Sequence, residues 1–190
     1  MAVSSTMLPL GTPAPRFALV EPLTGRTVSL EDFDQPTLLV MFICNHCPYV
    51  QHVRQGLVDL RSDYPVADLG MVAISANDPS AYPEDGPERL AEEARARGYG
   101  FPYLFDETQQ VAAAYTAACT PDFFLFDGSR RLVYRGRLDA SRPGSDVPVT
   151  GEDLRRAVNA VLSGGEVPAE QVPSLGCSIK WRPGNEPSYA

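Results

Sequence analysis

Leu38-Leu39-Val40-Met41-Phe42-Ile43-Cys44-Asn45-His46-Cys47-Pro48 is the stretch whose reading decides the fold. The apolar run shows no polar alternation, the pattern of a strand buried on both faces. Two cysteines separated by two residues follow at once. Beyond them Val50, Val53, Leu57 and Leu60 recur at helical spacing. Pro48 fits a first helical turn, where its missing N–H is no loss. A strand therefore hands a dithiol to the start of a helix. The free amides and dipole of a helix N-terminus favour an anion, and only the thiolate form of cysteine is a nucleophile.

Outward from this stretch, the chain reads as alternating strands and helices. Phe17–Val20 and Arg26–Leu30 flank Leu23-Thr24-Gly25, a hairpin signal. Leu69–Ala76 is a second buried strand. Asn77–Gly86 is a turn-rich loop whose acids Asp78, Glu84 and Asp85 read as a solvated charged cluster. Helices are expected over Pro87–Arg97, closed by Gly98, and over Gln109–Ala118. Phe101–Phe105 is a short strand. Asp122–Phe126 and Arg131–Leu138 are strands joined by Asp127-Gly128-Ser129-Arg130. Thr150, with Asp153 three residues on, is expected to cap a last helix to Leu162. This order gives an α/β fold with a central mixed sheet, flanking helices and an N-terminal hairpin. Residues 1–16 read as a loose leader, 17–163 as the domain, and 164–190 as a Pro- and Gly-rich C-terminal extension. The extension holds Leu175, Cys177, Ile179 and Trp181, so it is expected to pack on the domain.

The 190 residues suffice for one domain with a real core. A formal charge of −8 argues against nucleic acid or an anionic membrane as partner. Met1–Arg16 lacks a basic start followed by an apolar core, and no run approaches a membrane span. A cytoplasmic location is the expectation. Four cysteines in a chain of this length do not make a disulfide scaffold. A structural zinc site takes four ligands, usually as two close pairs, whereas Cys119 and Cys177 stand alone. No metal is therefore expected, and a metal-binding module is the least favoured alternative.

The dithiol between strand and helix, Thr120-Pro121 before Asp122–Phe126, and the closing hairpin and helix resemble the thioredoxin superfamily. Within it, Cys-Asn-His-Cys-Pro-Tyr-Val, Asn77-Asp78 with Tyr82-Pro83-Glu84-Asp85, Cys119–Asp127 and Gly176–Trp181 look like a peroxiredoxin-like subgroup of the redoxin branch, which includes alkyl hydroperoxide reductases and thiol-specific antioxidant proteins. The resemblance implies a thioredoxin-like fold and a thiol–disulfide oxidoreductase. Cys44 would be the nucleophile and Cys47 the resolver, forming a Cys44–Cys47 disulfide with no other cofactor. His46 would lower the thiol pKa values. Thr120-Pro121 would be a cis-proline ledge where an extended peptide pairs as an added strand. Ile43 and Asn45 are further candidate substrate contacts. The implied partners are a disulfide-bearing protein or a small thiol or peroxide substrate, and a reductase or dithiol that donates electrons.

The alternative is a thiol peroxidase with Cys47 as the peroxidatic cysteine and Cys44 resolving its sulfenic acid. Two departures bear on these readings. The buried acid that thioredoxins carry in the preceding strand is replaced by Leu38, and the peroxiredoxin pocket arginine has no equivalent near Thr120. Cys119 and Cys177 are candidate accessory thiols, though for each the favoured reading is a small packed hydrophobe. His52 is expected at the surface.

Overall fold

Thr37–Phe42 (β4) forms the middle of the molecule, because every residue in it is buried. Its alternation splits the core. Leu39 and Met41 point to one face of the sheet, with Val50, Val53, Leu57 and Leu60 of α1 (Pro48–Asp63). Leu38, Val40 and Phe42 point to the other, with Val111, Ala112 and Tyr115. The computed structural model describes residues 2–189.

The main sheet has seven strands in the order β3-β2-β6-β5-β4-β8-β9. β2 (Ala18–Val20) and β3 (Thr27–Ser29) are the N-terminal hairpin. β5 (Leu69–Ser75) runs parallel to β4 and to β6 (Tyr103–Phe105). β8 (Asp122–Phe126) and β9 (Leu132–Gly136) close the other edge antiparallel. α1, α2 (Pro87–Arg97) and α4 (Glu152–Leu162) cover one face, and α3 (Gln110–Ala114) the other. The mixed sheet with helices on both faces is the expected architecture.

Three local expectations are corrected. The helix expected over Gln109–Ala118 stops at Ala114, and Thr116 turns the chain with φ of 49°. Arg135 holds that turn, donating to Thr116 Oγ1 at 3.0 Å and to the Thr116 carbonyl at 2.7 Å. The Thr150–Asp153 cap does not form. Gly151 is the N-cap, with φ of 69°, and the Asp139 carboxylate takes the Thr150 and Gly151 amides at 2.8 and 2.6 Å. Asp153 instead binds Arg137 at 2.7 Å.

The third correction lies at the N-terminus, which is not loose. Gly11 and Ala14 donate to carbonyls of Leu132 and Arg130 at 2.7 and 2.9 Å. Ala2–Ser4 (β1) joins a second sheet of order β1-β10-β7, with β10 at Leu175–Ser178 and β7 at Cys119–Thr120. The C-terminal extension is thereby threaded between the N-terminus and the chain just before Pro121. Trp181 is half-buried against the α3-side core and meets Tyr189 edge-on.

Candidate active site

After β4, the Ile43 amide makes a last sheet bond to the Ile74 carbonyl at 3.1 Å. The chain then bends away, and Cys47 becomes the N-cap of α1, its carbonyl accepting from the Gln51 amide at 2.9 Å. Strand end and helix start fix the two sulfurs side by side. All four cysteines are free thiols, and only Cys177 is partly exposed.

Thr120 faces both sulfurs of the pair. Its Oγ1 lies 3.2 Å from Cys44 Sγ, and its carbonyl oxygen 3.1 Å from Cys47 Sγ. The Thr120–Pro121 peptide is cis. Pro121 also walls a cavity of about 380 Å³ shared with Tyr49, His52, Ser141 and Leu175. His52 is not simply a surface residue, since its Nε2 lies 2.7 Å from Ser141 Oγ.

The two thiols differ in their tendency to ionise. Cys47 is held below the ordinary thiol range, chiefly because the Cys44 thiol donates to it. Burial opposes this, but Cys177, the Val50 amide and the Thr120 hydroxyl act with Cys44. The Thr120 carbonyl alone favours a proton on Cys47; the set of donors and the helix N-terminus outweigh it. Cys44 is pushed well up, first because its proton serves Cys47, then by burial and by the Asp85 carboxylate. Of the two, Cys47 has the surroundings that favour a thiolate and Cys44 those that favour the proton.

Asp85 was not recognisable as part of the site. Its carboxylate is fully buried rather than solvated. Oδ1 accepts the Asn45 and His46 amides at 2.7 and 3.2 Å; Oδ2 accepts the Asn77 side-chain amide at 2.8 Å and meets His46 Nδ1 at 2.5 Å. Burial would raise its pKa, but these partners outweigh it and hold the carboxyl below its ordinary value. His46 also stacks on Tyr82 at 4.4 Å. Asp85 sits in a short 3-10 turn between Pro83 and Gly86, and no spacing in the sequence points from it to Cys44.

Cys44 Sγ, a ring nitrogen of His46 and an Asp85 oxygen lie within 4.8 Å of one another, a set that could hold a metal ion. Both Asp85 oxygens already serve protein donors, so an ion would have to break that clamp.

The other predicted residues divide clearly. Asn45 is a structural strap: its Nδ2 donates to the Glu84 and Arg89 carbonyls at 2.9 and 3.0 Å. Ile43 is buried in the core and offers no surface to a substrate. Cys119 is fully buried, with its thiol pushed far up by desolvation and then by Asp122. Cys177 is partly buried against the cluster that holds Cys44 and Cys47, in register with Thr120. Arg135 is buried, but its guanidinium serves Thr116 and Asp122.

Among the described residues, no helix is long and apolar enough to cross a membrane. No curated protein matches the chain. An uncharacterized conserved protein from Geobacillus kaustophilus is 54% identical, with TM-score 0.95, covering 97% of this chain and 98% of that one. A hypothetical protein from Sinorhizobium meliloti 1021 is 52% identical, with TM-score 0.93 and coverage of 95% and 99%. A putative thiol:disulfide interchange protein DsbE from Chlorobium tepidum shares the fold at TM-score 0.63 and 22% identity, covering 82% of this chain and 99% of that one. The fold is thioredoxin-like. The AhpC/TSA family matches residues 10–135, from the leader into β9, and the chain belongs to that family.

Proposed function

We propose that the protein is a thiol–disulfide oxidoreductase working through Cys44 and Cys47. The observation that carries this reading is the pair of cysteines at the start of α1, Cys47 as its N-cap, with Thr120 against both sulfurs. The Cys47 thiolate attacks one sulfur of a substrate disulfide. The other sulfur leaves as a thiolate and takes a proton from solvent. Cys44 then gives up its proton, attacks Cys47 Sγ and expels the second substrate thiolate, leaving a Cys44–Cys47 disulfide. The expelled substrate thiolate takes up that proton, while Asp85 bears on Cys44 through its charge. His46 acts on the pair through Asp85 rather than on a sulfur directly. An external dithiol returns two electrons and two protons.

A second reading, a peroxidase attacking through Cys47, is favoured by one observation. Both cysteines are at most 1% exposed, which suits a small oxidant. Hydroperoxide would convert the Cys47 thiolate to a sulfenic acid, releasing water or an alcohol, and Cys44 would condense with it.

Alkylation with iodoacetamide at pH 6 tests the assignment of the thiolate. Cys47 should be modified before Cys44, and the thiolate absorbance at neutral pH should vanish in Cys47→Ser and persist in Cys44→Ser. The reverse order would return the thiolate to Cys44. Turnover of hydroperoxide without turnover of a small disulfide would select the second reading.

A further inference from the structure

β10 lies where a substrate strand is expected. It pairs antiparallel with β7, setting Cys177 opposite Thr120 and Ser178 opposite Cys119. The Ile179 amide extends the ladder to the Ala118 carbonyl at 3.1 Å. The approach is so close that a Cβ at Gly176 would stand 2.0 Å from the Thr120 carbonyl oxygen. On its outer edge β1 pairs with β10, Ala2 opposite Cys177, which holds the strand in place. The edge of the ledge that an extended peptide would use is thus occupied by the chain itself. The register sets Cys177 opposite Thr120, whose carbonyl lies 3.1 Å from Cys47 Sγ, and packs it against the cluster that contains Cys47.

Cys44 and Cys47 are buried, whereas Cys177 is partly exposed. A reductant's sulfur must approach a disulfide directly to attack it. A bond between Cys44 and Cys47 is open to an outside thiol only along the path the substrate takes, and Cys177 is the neighbouring thiol with one side toward solvent.

We propose that Cys177 is a third redox thiol, carried on a resident substrate strand, through which the oxidised dithiol is reduced. The proposal rests on the dithiol reading above. Cys177 attacks Cys47 Sγ of the Cys44–Cys47 disulfide. The sulfur of Cys44 leaves and takes up the proton that Cys177 gave up, so a Cys47–Cys177 disulfide replaces the first with no net electron transfer. An external thiol then attacks Cys177 Sγ, freeing Cys47 as a thiolate, and a second external thiol releases Cys177 and completes the two-electron reduction. Cys119, buried and facing Asp122, takes no part.

The test is a disulfide map after oxidation with diamide, together with the rate of re-reduction by glutathione. Wild-type protein should show both Cys44–Cys47 and Cys47–Cys177 linkages, and Cys44→Ser should show Cys47–Cys177 as its main intramolecular bond. Cys177→Ser should still form Cys44–Cys47 but lose it to glutathione at least tenfold more slowly. Absence of Cys47–Cys177 in both wild type and Cys44→Ser overturns the proposal, as does an unchanged re-reduction rate in Cys177→Ser. Failure of Cys44–Cys47 to form in wild type and Cys177→Ser sinks the dithiol reading instead, and Cys44→Ser distinguishes the two failures.

Discussion

Two carboxylates flank the cysteines, both fully buried, and they behave in opposite ways. Asp85 serves two backbone amides, an asparagine side chain and the His46 ring, and its pKa is lowered. Asp122, one residue beyond Pro121, meets Arg135 at 3.2 Å and the Ala118 amide at 3.4 Å, while its Oδ1 has no partner. Burial therefore prevails over Arg135, and the Asp122 pKa is raised. Two acids without solvent exposure shift in opposite directions because Asp122 is the more deeply buried and Asp85 has the more donors. The first arrangement ties down the dithiol loop; the second anchors the turn at Thr116 and the strand behind the ledge.

The largest expected effect comes from breaking the second pair. Arg135→Met should cost about 3–5 kcal/mol in denaturant unfolding, because it leaves Asp122 buried beside a lost partner. Adding Asp122→Leu should recover much of that loss. A single-variant cost under about 1 kcal/mol would show that the pair is not what holds this corner.

Asp85→Asn should cost about 1–3 kcal/mol, since the amide cannot accept the same four bonds. It should also lower the pKa of Cys44 by removing a nearby negative charge. A second thiol titration left where it is in wild type would refute the coupling between Asp85 and Cys44.

The two acids should also separate by pH. The native pKa of Asp85 lies below its unfolded value of about 3.9, so its contribution to stability is present above that pH and fades as pH falls through the native value. The gap between wild type and Asp85→Asn should narrow in acid. Asp122 has the opposite sign: its raised native pKa adds stability below about pH 3.9 that is lost as pH rises through the native value. Relative to Asp122→Asn, wild type should therefore gain in acid. Parallel curves for the two variants would break the comparison.

The smallest effect is expected from His46→Ala, about 0.5–1.5 kcal/mol for one hydrogen bond. It should move the Cys44 titration less than Asp85→Asn does. A larger shift would mean that His46 acts on the sulfurs directly.

Much of the fold was legible in the chain because it depends on local pattern. Thr37–Phe42 could be read as a central strand from its unbroken apolar run, and Pro48–Asp63 as a helix from its apolar spacing. The hairpin turns and the Gly98 stop carry their own backbone chemistry. Where local signals misled, a distant side chain had intervened. Arg135 ended α3, and Asp139 replaced the Thr150 cap. Half the site was legible in the same way, since the Cys44–Cys47 spacing and Thr120-Pro121 are motifs.

The order of residues alone determined a dithiol at a strand-to-helix junction, because hydrophobic period and cysteine spacing are properties of neighbours. Only the tertiary structure decided what surrounds each sulfur, which acid lies near Cys44, and which strand lies on the ledge. Those outcomes depend on groups far apart in the chain, Asp85, Thr120 and Cys177, brought within hydrogen-bond reach by packing, where burial makes each donor and each charge count far more than in water.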